Sequence, residues 1–96
     1  IHTSGSTGQP KGVVIEHSAL SAFCRSFAER VGIDVGTRYL AVSSVAFDAS
    51  IAELIATVAA GAHVVIAEDG CARNPEALCR LIDDHRIQMM QATPAA

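Results

Sequence analysis

Four apolar runs of strand length alternate with three longer stretches of helical periodicity, and this alternation most constrains what the chain can fold into. The runs are GVVIEH (12–17), RYLAVSS (38–44), AHVVIAE (62–68) and IQMMQAT (87–93). Between the first two, Leu20, Phe23, Phe27 and Val31 recur at helical spacing, which predicts a helix over 18–31. Ser18 is its expected N-cap and Gly32 its terminator. FDASIAELIATVAAG (47–61) reads as a second helix, in which Ser50 and Glu53 match the S-x-x-E capping box and Gly61 closes the last turn. Asn74-Pro75 opens a third, running to about His85 with Leu78, Leu81 and Ile82 on one face. Strands alternating with helices of this length imply βαβ units. The expected fold class is α/β, a mainly parallel sheet with covering helices.

Composition supports a packed interior: half of the 96 residues are hydrophobic and only 18% are charged. A net charge of −3 without a Lys/Arg cluster gives no field for nucleic acid or anionic lipid. No apolar run has the length of a bilayer span. The expected partners therefore include neither nucleic acid nor membrane. Cys24, Cys71 and Cys79 contain no C-x-x-C pair, so reduced, packed thiols in a cytoplasmic protein are expected, with no disulfide framework and no metal site. The Ile at position 1 and the terminal QATPAA read as cut ends, and the chain is expected to be an internal fragment of a larger domain.

The stretch HTSGSTGQPKG, His2–Gly12, has almost nothing that builds a core. Thr3, Ser4, Ser6 and Thr7 supply hydroxyls, Gly5, Gly8 and Gly12 permit close backbone approach, and Lys11 adds a point charge. Consecutive N–H groups among small side chains form an anion-binding concavity, and the fitting ligand is a polyphosphate. The plain alternative is a solvated turn. A Walker loop is disfavoured. Counted from Gly5, Lys11 falls at the Walker lysine, but Pro10 and Gly12 stand where that motif has Gly and Ser/Thr. Pro10 has no N–H to offer, Gly12 no hydroxyl for magnesium, and a strand-like run follows where a helix N-terminus is needed. Ligands of parallel sheets collect beyond the carboxyl ends of strands, and both this loop and SSVAFDAS (43–50) lie in connections, so they are expected to meet at one site.

TSGSTGQPKG resembles the phosphate-binding motif of the adenylate-forming superfamily of acyl-CoA ligases, luciferases and the adenylation domains of nonribosomal peptide synthetases. The resemblance implies that Thr3, Ser4, Gly5, Ser6, Thr7, Gly8 and Lys11 embrace the phosphates of ATP, and it places the chain in the large N-terminal subdomain of such an enzyme. VVIEHSAL continues the likeness; for His17 a capping or packing role is preferred to catalysis. His2 departs from the family's usual Tyr, a change under the loop that does not touch phosphate.

FDAS with its helix resembles the amino-acid-selecting adenylation domains. There the aspartate, here Asp48, receives the substrate's α-ammonium. A carboxylate at a helix start is more often an N-cap, yet the capping box expected of Ser50 and Glu53 leaves Asp48 less needed for that. A buried cation needs a fixed anion, and such a bond discriminates against acids lacking the amine. The same likeness places Ala49, Ala52 and Gln91 along the substrate pocket, with Phe47 beside it. It implies ATP and Mg2+ as cofactors, with magnesium ligands and the main catalytic lysine outside these residues. It also implies an amino-acid substrate, a peptidyl carrier domain bearing the phosphopantetheine thiol, and a condensation domain as partners. A stand-alone acyl-CoA or amino-acid ligase of the same fold, or a degenerate non-catalytic scaffold, are the alternatives. The fragment alone is expected to be inactive.

Overall fold

A computed structural model of the chain describes residues 1–5 and 8–93. Three parallel strands form its sheet: β3 (Arg38–Ala41) lies between β4 (His63–Ile66) and β5 (Met89–Met90). A separate antiparallel hairpin pairs β1 (His2–Thr3) with β2 (Lys11–Gly12). The βαβ alternation is thus realised, and the mainly parallel α/β reading holds. The connection from β4 to β5 passes over β3, whereas that from β3 to β4 reaches a neighbour on the other side. Right-handed crossovers in opposite directions put their helices on opposite faces.

Helix α1 (His17–Val31) ends as expected at Gly32, whose φ of 76° gives the left-handed C-cap, with its N–H bonded to the Ala28 carbonyl at 3.0 Å. Its start differs from expectation. Glu16 occupies the N-cap position without a side-chain bond, so Ser18 lies inside the helix and caps nothing. Helix α4 (Pro75–Asp84) forms as its sequence dictates: the Asn74 side chain accepts from the Ala77 N–H at 3.2 Å and Pro75 occupies the first turn.

Of the first apolar run only Gly12 is strand, as the end of β2. Val13 makes one more bond, its N–H to the Ile1 carbonyl at 2.9 Å, after which no partner strand continues and Val14 is 93% exposed. Propensity favours strand here, but a strand needs a neighbour to pair with. The second helix is interrupted: α2 (Ala49–Ile51) and α3 (Thr57–Ala59) flank a π-helical segment, Ala52–Ala56. This segment packs on α1 and on β3. Leu40, fully buried on the central strand, anchors the interior with Tyr39, Ala41, Ala52 and Ala56. Burial of that apolar area holds the sheet to its helices.

Candidate functional site

Two places carry the residues singled out above. The first is the hairpin loop between β1 and β2. Thr3 pairs with Lys11 across the hairpin, which brings both ends of the loop to one point. The Gly5 carbonyl accepts from the Gly8 N–H at 3.0 Å, and Gly8 has a φ of 82°. A side chain on Gly5 has no room: its Cβ would stand 2.4 Å from the Gln9 carbonyl oxygen and 3.4 Å from Cε of Lys11. The backbone therefore folds closely on itself, with the lysine stem crossing over Gly5 and its surface open to solvent. Thr3, Ser4, Gly5, Gly8 and Lys11 share this turn. Ser6 and Thr7, expected to hold phosphate with them, lie outside the described residues.

The second place is the connection leaving the carboxyl end of β3. It turns at Ser44, whose carbonyl accepts from the Phe47 N–H at 3.0 Å and whose Oγ accepts from the Ala46 N–H at 3.2 Å. The next turn is tied at Phe47: its carbonyl accepts from the Ser50 N–H at 3.1 Å and from the Ser50 hydroxyl at 2.7 Å. Asp48 sits at the start of α2 in helical conformation, exposed, and its side chain makes no cap hydrogen bond. Phe47 is 67% exposed beside it. Ala49 is half-buried next to Asp48, whereas Ala52 points inward and is buried.

The capping box expected of Ser50 and Glu53 does not form. Ser50 is inside the helix and donates back to Phe47, so Glu53 is not three residues beyond a cap. Its carboxylate is instead wholly buried and accepts from the backbone N–H groups of Val42, at 3.1 Å, and Ser43, at 2.9 Å. The Thr57 hydroxyl donates to the Glu53 carbonyl. Tyr39, buried nearby, has its phenol pushed above the usual 10.0 by burial and, secondarily, by the Glu53 charge. Sequence reasoning gave Glu53 the wrong partner and passed over Tyr39. A lone carboxylate within IAELIATVAA was the available signal, because a charge on an apolar helix face requires a partner from another element.

Gln91 follows β5 and is exposed. The register pairs Leu40 with Met90, the last residue of β5, so Gln91 follows at the same carboxyl edge from which the Asp48 connection departs. Gln91 lines a hollow of about 660 Å³ with Phe27, Val31, Tyr39, Met89 and Met90. Phe47, Asp48, Ala49 and Ala52 do not line that hollow. Adjacent strands thus deliver Asp48 and Gln91 to one end of the sheet without enclosing them in one cavity. Nor does any hydrogen bond among the described residues join the hairpin loop to the 43–50 segment.

Comparison with known proteins sets these observations in a family. The model of the AMP-binding enzyme family matches residues 1–96. A dimodular nonribosomal peptide synthase of Bacillus subtilis is 47% identical over 94 residues, covering 98% of this chain and 4% of its own length. A PKS-NRPS hybrid synthetase of Aspergillus candidus is 45% identical, covering 99% of this chain and again 4% of its own. Among solved structures, a four-domain nonribosomal peptide synthetase bound to AMP and glycine superposes with a TM-score of 0.84 at 32% identity, over 99% of this chain and 7% of that one. The N-terminal subdomain of Klebsiella oxytoca NpsA, in complex with 3-hydroxybenzoyl-AMSN, gives 0.77 at 32% identity over 94% of this chain and 22% of that one. The chain therefore spans a small part of the length of the proteins it matches.

Proposed function

The chain belongs to the AMP-binding enzyme family, and from that premise we propose that residues 1–96 are a segment of a nonribosomal-peptide-synthetase adenylation domain. The reaction is activation of an amino acid by ATP to an aminoacyl-adenylate and pyrophosphate, followed by transfer to the phosphopantetheine thiol of a carrier domain. A condensation domain then uses the loaded carrier. Likeness over nearly the whole chain to synthetases, one of them solved with AMP and glycine, supports this reading. The observation that carries the choice of an amino acid is Asp48, an uncapped, exposed carboxylate fixed between two turns at the carboxyl edge of the sheet. A carboxylate whose backbone is held by two turns and whose side chain caps nothing is suited to an α-ammonium group.

The hairpin loop fits a polyphosphate. The close approach at Gly5 leaves no room for a side chain there, Thr3 and Ser4 offer hydroxyls, and Lys11 stands over the turn with its charge. Thr3, Ser4, Gly5, Gly8 and Lys11, with Ser6 and Thr7, would hold the β- and γ-phosphates. ATP would supply the adenylyl group to the substrate carboxylate, with pyrophosphate as the leaving group. The loop's contribution is to position the β- and γ-phosphates that leave and to neutralise their charge. Among the described residues no group of three or more His, Cys, Asp or Glu side chains that could hold a metal is gathered, and magnesium would reach this loop through the ATP phosphates. Its ligands, and the catalytic lysine, are assigned to the remainder of the domain. No helix among the described residues is long and apolar enough to cross a membrane, and the proposed chemistry places the enzyme in the cytoplasm, where ATP is supplied.

Lys11→Ala tests the loop. In the full-length protein, amino-acid-dependent ATP–pyrophosphate exchange falls about tenfold at limiting ATP and recovers in part when ATP is raised, because a point charge on the phosphates is lost. The melting temperature is kept, since the lysine is exposed. Unchanged exchange at limiting ATP contradicts the phosphate role. A second reading comes from the likeness to NpsA solved with a 3-hydroxybenzoyl compound. On it the substrate is a carboxylic acid without an α-amine, and Asp48 has no cation to receive.

A further inference from the structure

The connection that carries Phe47 and Asp48 is fastened at its root by one side chain. Glu53 is wholly buried, and its two carboxylate oxygens are divided between successive backbone N–H groups: Oε2 accepts from Val42 at 3.1 Å and Oε1 from Ser43 at 2.9 Å. These are the first two residues beyond β3. Such donors at a strand end have no ladder partner, and burying them unpaired is costly. Glu53 itself lies in the π-helical segment, four residues after Ala49 and five after Asp48. Its carbonyl is held from the other side by the Thr57 hydroxyl, itself fully buried. The helix that begins at Asp48 thus reaches back to grip the strand from which the Asp48 connection departs. The loop of residues 42–48 is closed at both ends: by Glu53 at Val42–Ser43, and by the Phe47–Ser50 bonds at the helix start.

We propose that Glu53 is a positioning residue for substrate selection, which sets the place of Asp48 by clamping the backbone at Val42 and Ser43. The proposal rests on Asp48 being the partner of the substrate's ammonium. Two N–H donors on two oxygens need a group that accepts at both ends, and only a carboxylate of this length does so. The amide of Gln accepts at one end and donates at the other, so Glu53→Gln sets an N–H2 against a backbone N–H. One of the two fastenings is then replaced by a repulsive contact while the shape stays the same. π-helical turns recur where a helix must present a side chain out of α-register, often at functional sites. Here the side chain so presented is the clamp.

The test compares Glu53→Gln with Ile33→Ala in the full-length protein. Ile33 is buried at the turn after α1, near the opposite end of β3 from the clamp, so its truncation lowers stability without touching residues 42–48. ATP–pyrophosphate exchange is measured with saturating ATP over a range of amino acid, then with saturating amino acid over a range of ATP. Clamping predicts that Glu53→Gln raises the KM for the amino acid tenfold or more, keeps the KM for ATP within about twofold, and narrows the preference for the amino acid over its des-amino analogue. Ile33→Ala lowers the melting temperature with both KM values kept. If Glu53→Gln behaves as Ile33→Ala does, or shifts both KM values equally, Glu53 is structural only and the proposal is overturned. If Glu53→Gln does not fold, Glu53→Asp, which keeps the charge but is one methylene too short to span both N–H groups, is read in the same way, and an unchanged amino-acid KM there overturns it too. Failure of the underlying function is separately visible. In that case the unsubstituted protein shows no amino-acid-dependent exchange at all.

Discussion

Replacing Asp48 by Ala lowers kcat/KM for the amino acid by roughly 10²–10⁴-fold in the full-length protein and leaves the melting temperature nearly unchanged. The size follows from what the carboxylate is asked to do. Removing one partner of a desolvated ion pair costs about 3–5 kcal/mol, and each 1.36 kcal/mol is a factor of ten in rate. Asp48 is exposed in this chain, where a cation at its side is worth only about 1 kcal/mol or less. The large effect therefore requires that bound substrate and the rest of the domain close over it. Stability is spared because the side chain caps nothing: α2 starts without a bond from Asp48, and the Phe47–Ser50 contacts remain. Asp48→Asn keeps the shape and loses the charge, so it falls nearly as far. Both variants discriminate less between the amino acid and its des-amino analogue, which carries no cation. A helix cap behaves otherwise, with about 1 kcal/mol of stability lost and the same small defect for every substrate. Steady-state exchange kinetics beside a thermal melt separate the two.

Gly5→Ala lowers productive use of ATP by about 10²-fold without unfolding the protein. The new Cβ would stand 2.4 Å from the Gln9 carbonyl oxygen, a backbone atom that no rotamer change can move aside. The loop must open, and the backbone that carries Thr3, Ser4 and Lys11 shifts with it. A displacement of about 1 Å in a positioning group costs on the order of 10²-fold in rate. The hairpin is exposed and contributes little to the interior, so the melting temperature stays within a few degrees. Exchange measured over ATP concentration shows the loss, and it persists at high ATP because geometry rather than charge is missing. That distinguishes it from Lys11→Ala, where added ATP compensates. An active Gly5→Ala protein would mean that the tight turn has no part in holding phosphate.

How much of this was legible in the sequence depended on whether the deciding interaction was local. Asn74 and Pro75 cap α4 through bonds within one turn, and Gly32 ends α1 through its own backbone, so both were readable. The sheet was readable because RYLAVSS, AHVVIAE and IQMMQAT are each apolar runs of strand length set between helical stretches, although only β3 is interior, β4 and β5 being half-buried or exposed. Their ends were not: only four residues pair in β3 and β4 and two in β5. Val13–Ile15 has strand composition but no strand beside it among the described residues, and pairing partners are a tertiary fact. Glu53 was misread for the same reason. S-x-x-E is a local pattern, whereas the donors that Glu53 accepts lie ten and eleven residues back, at the end of another element. At the site, the phosphate role proposed for the hairpin loop rests on its residue types and on resemblance, and the role proposed for Asp48 rests on its chemistry and resemblance together. Gln91 reached the same sheet edge, yet the hollow it lines with Phe27 and Val31 was not foreseeable, because it depends on how α1 lies along β5.

ATP–pyrophosphate exchange by the unsubstituted full-length protein, measured across a panel of amino acids and their matched des-amino and aryl carboxylic acids, tests amino-acid activation most directly. The α-ammonium role of Asp48 predicts that one or a few amino acids drive exchange and that each matched acid without the amine stays near background, because a fixed carboxylate facing no cation is left unpaired. Exchange driven by an aryl or aliphatic acid in preference to every amino acid would contradict it.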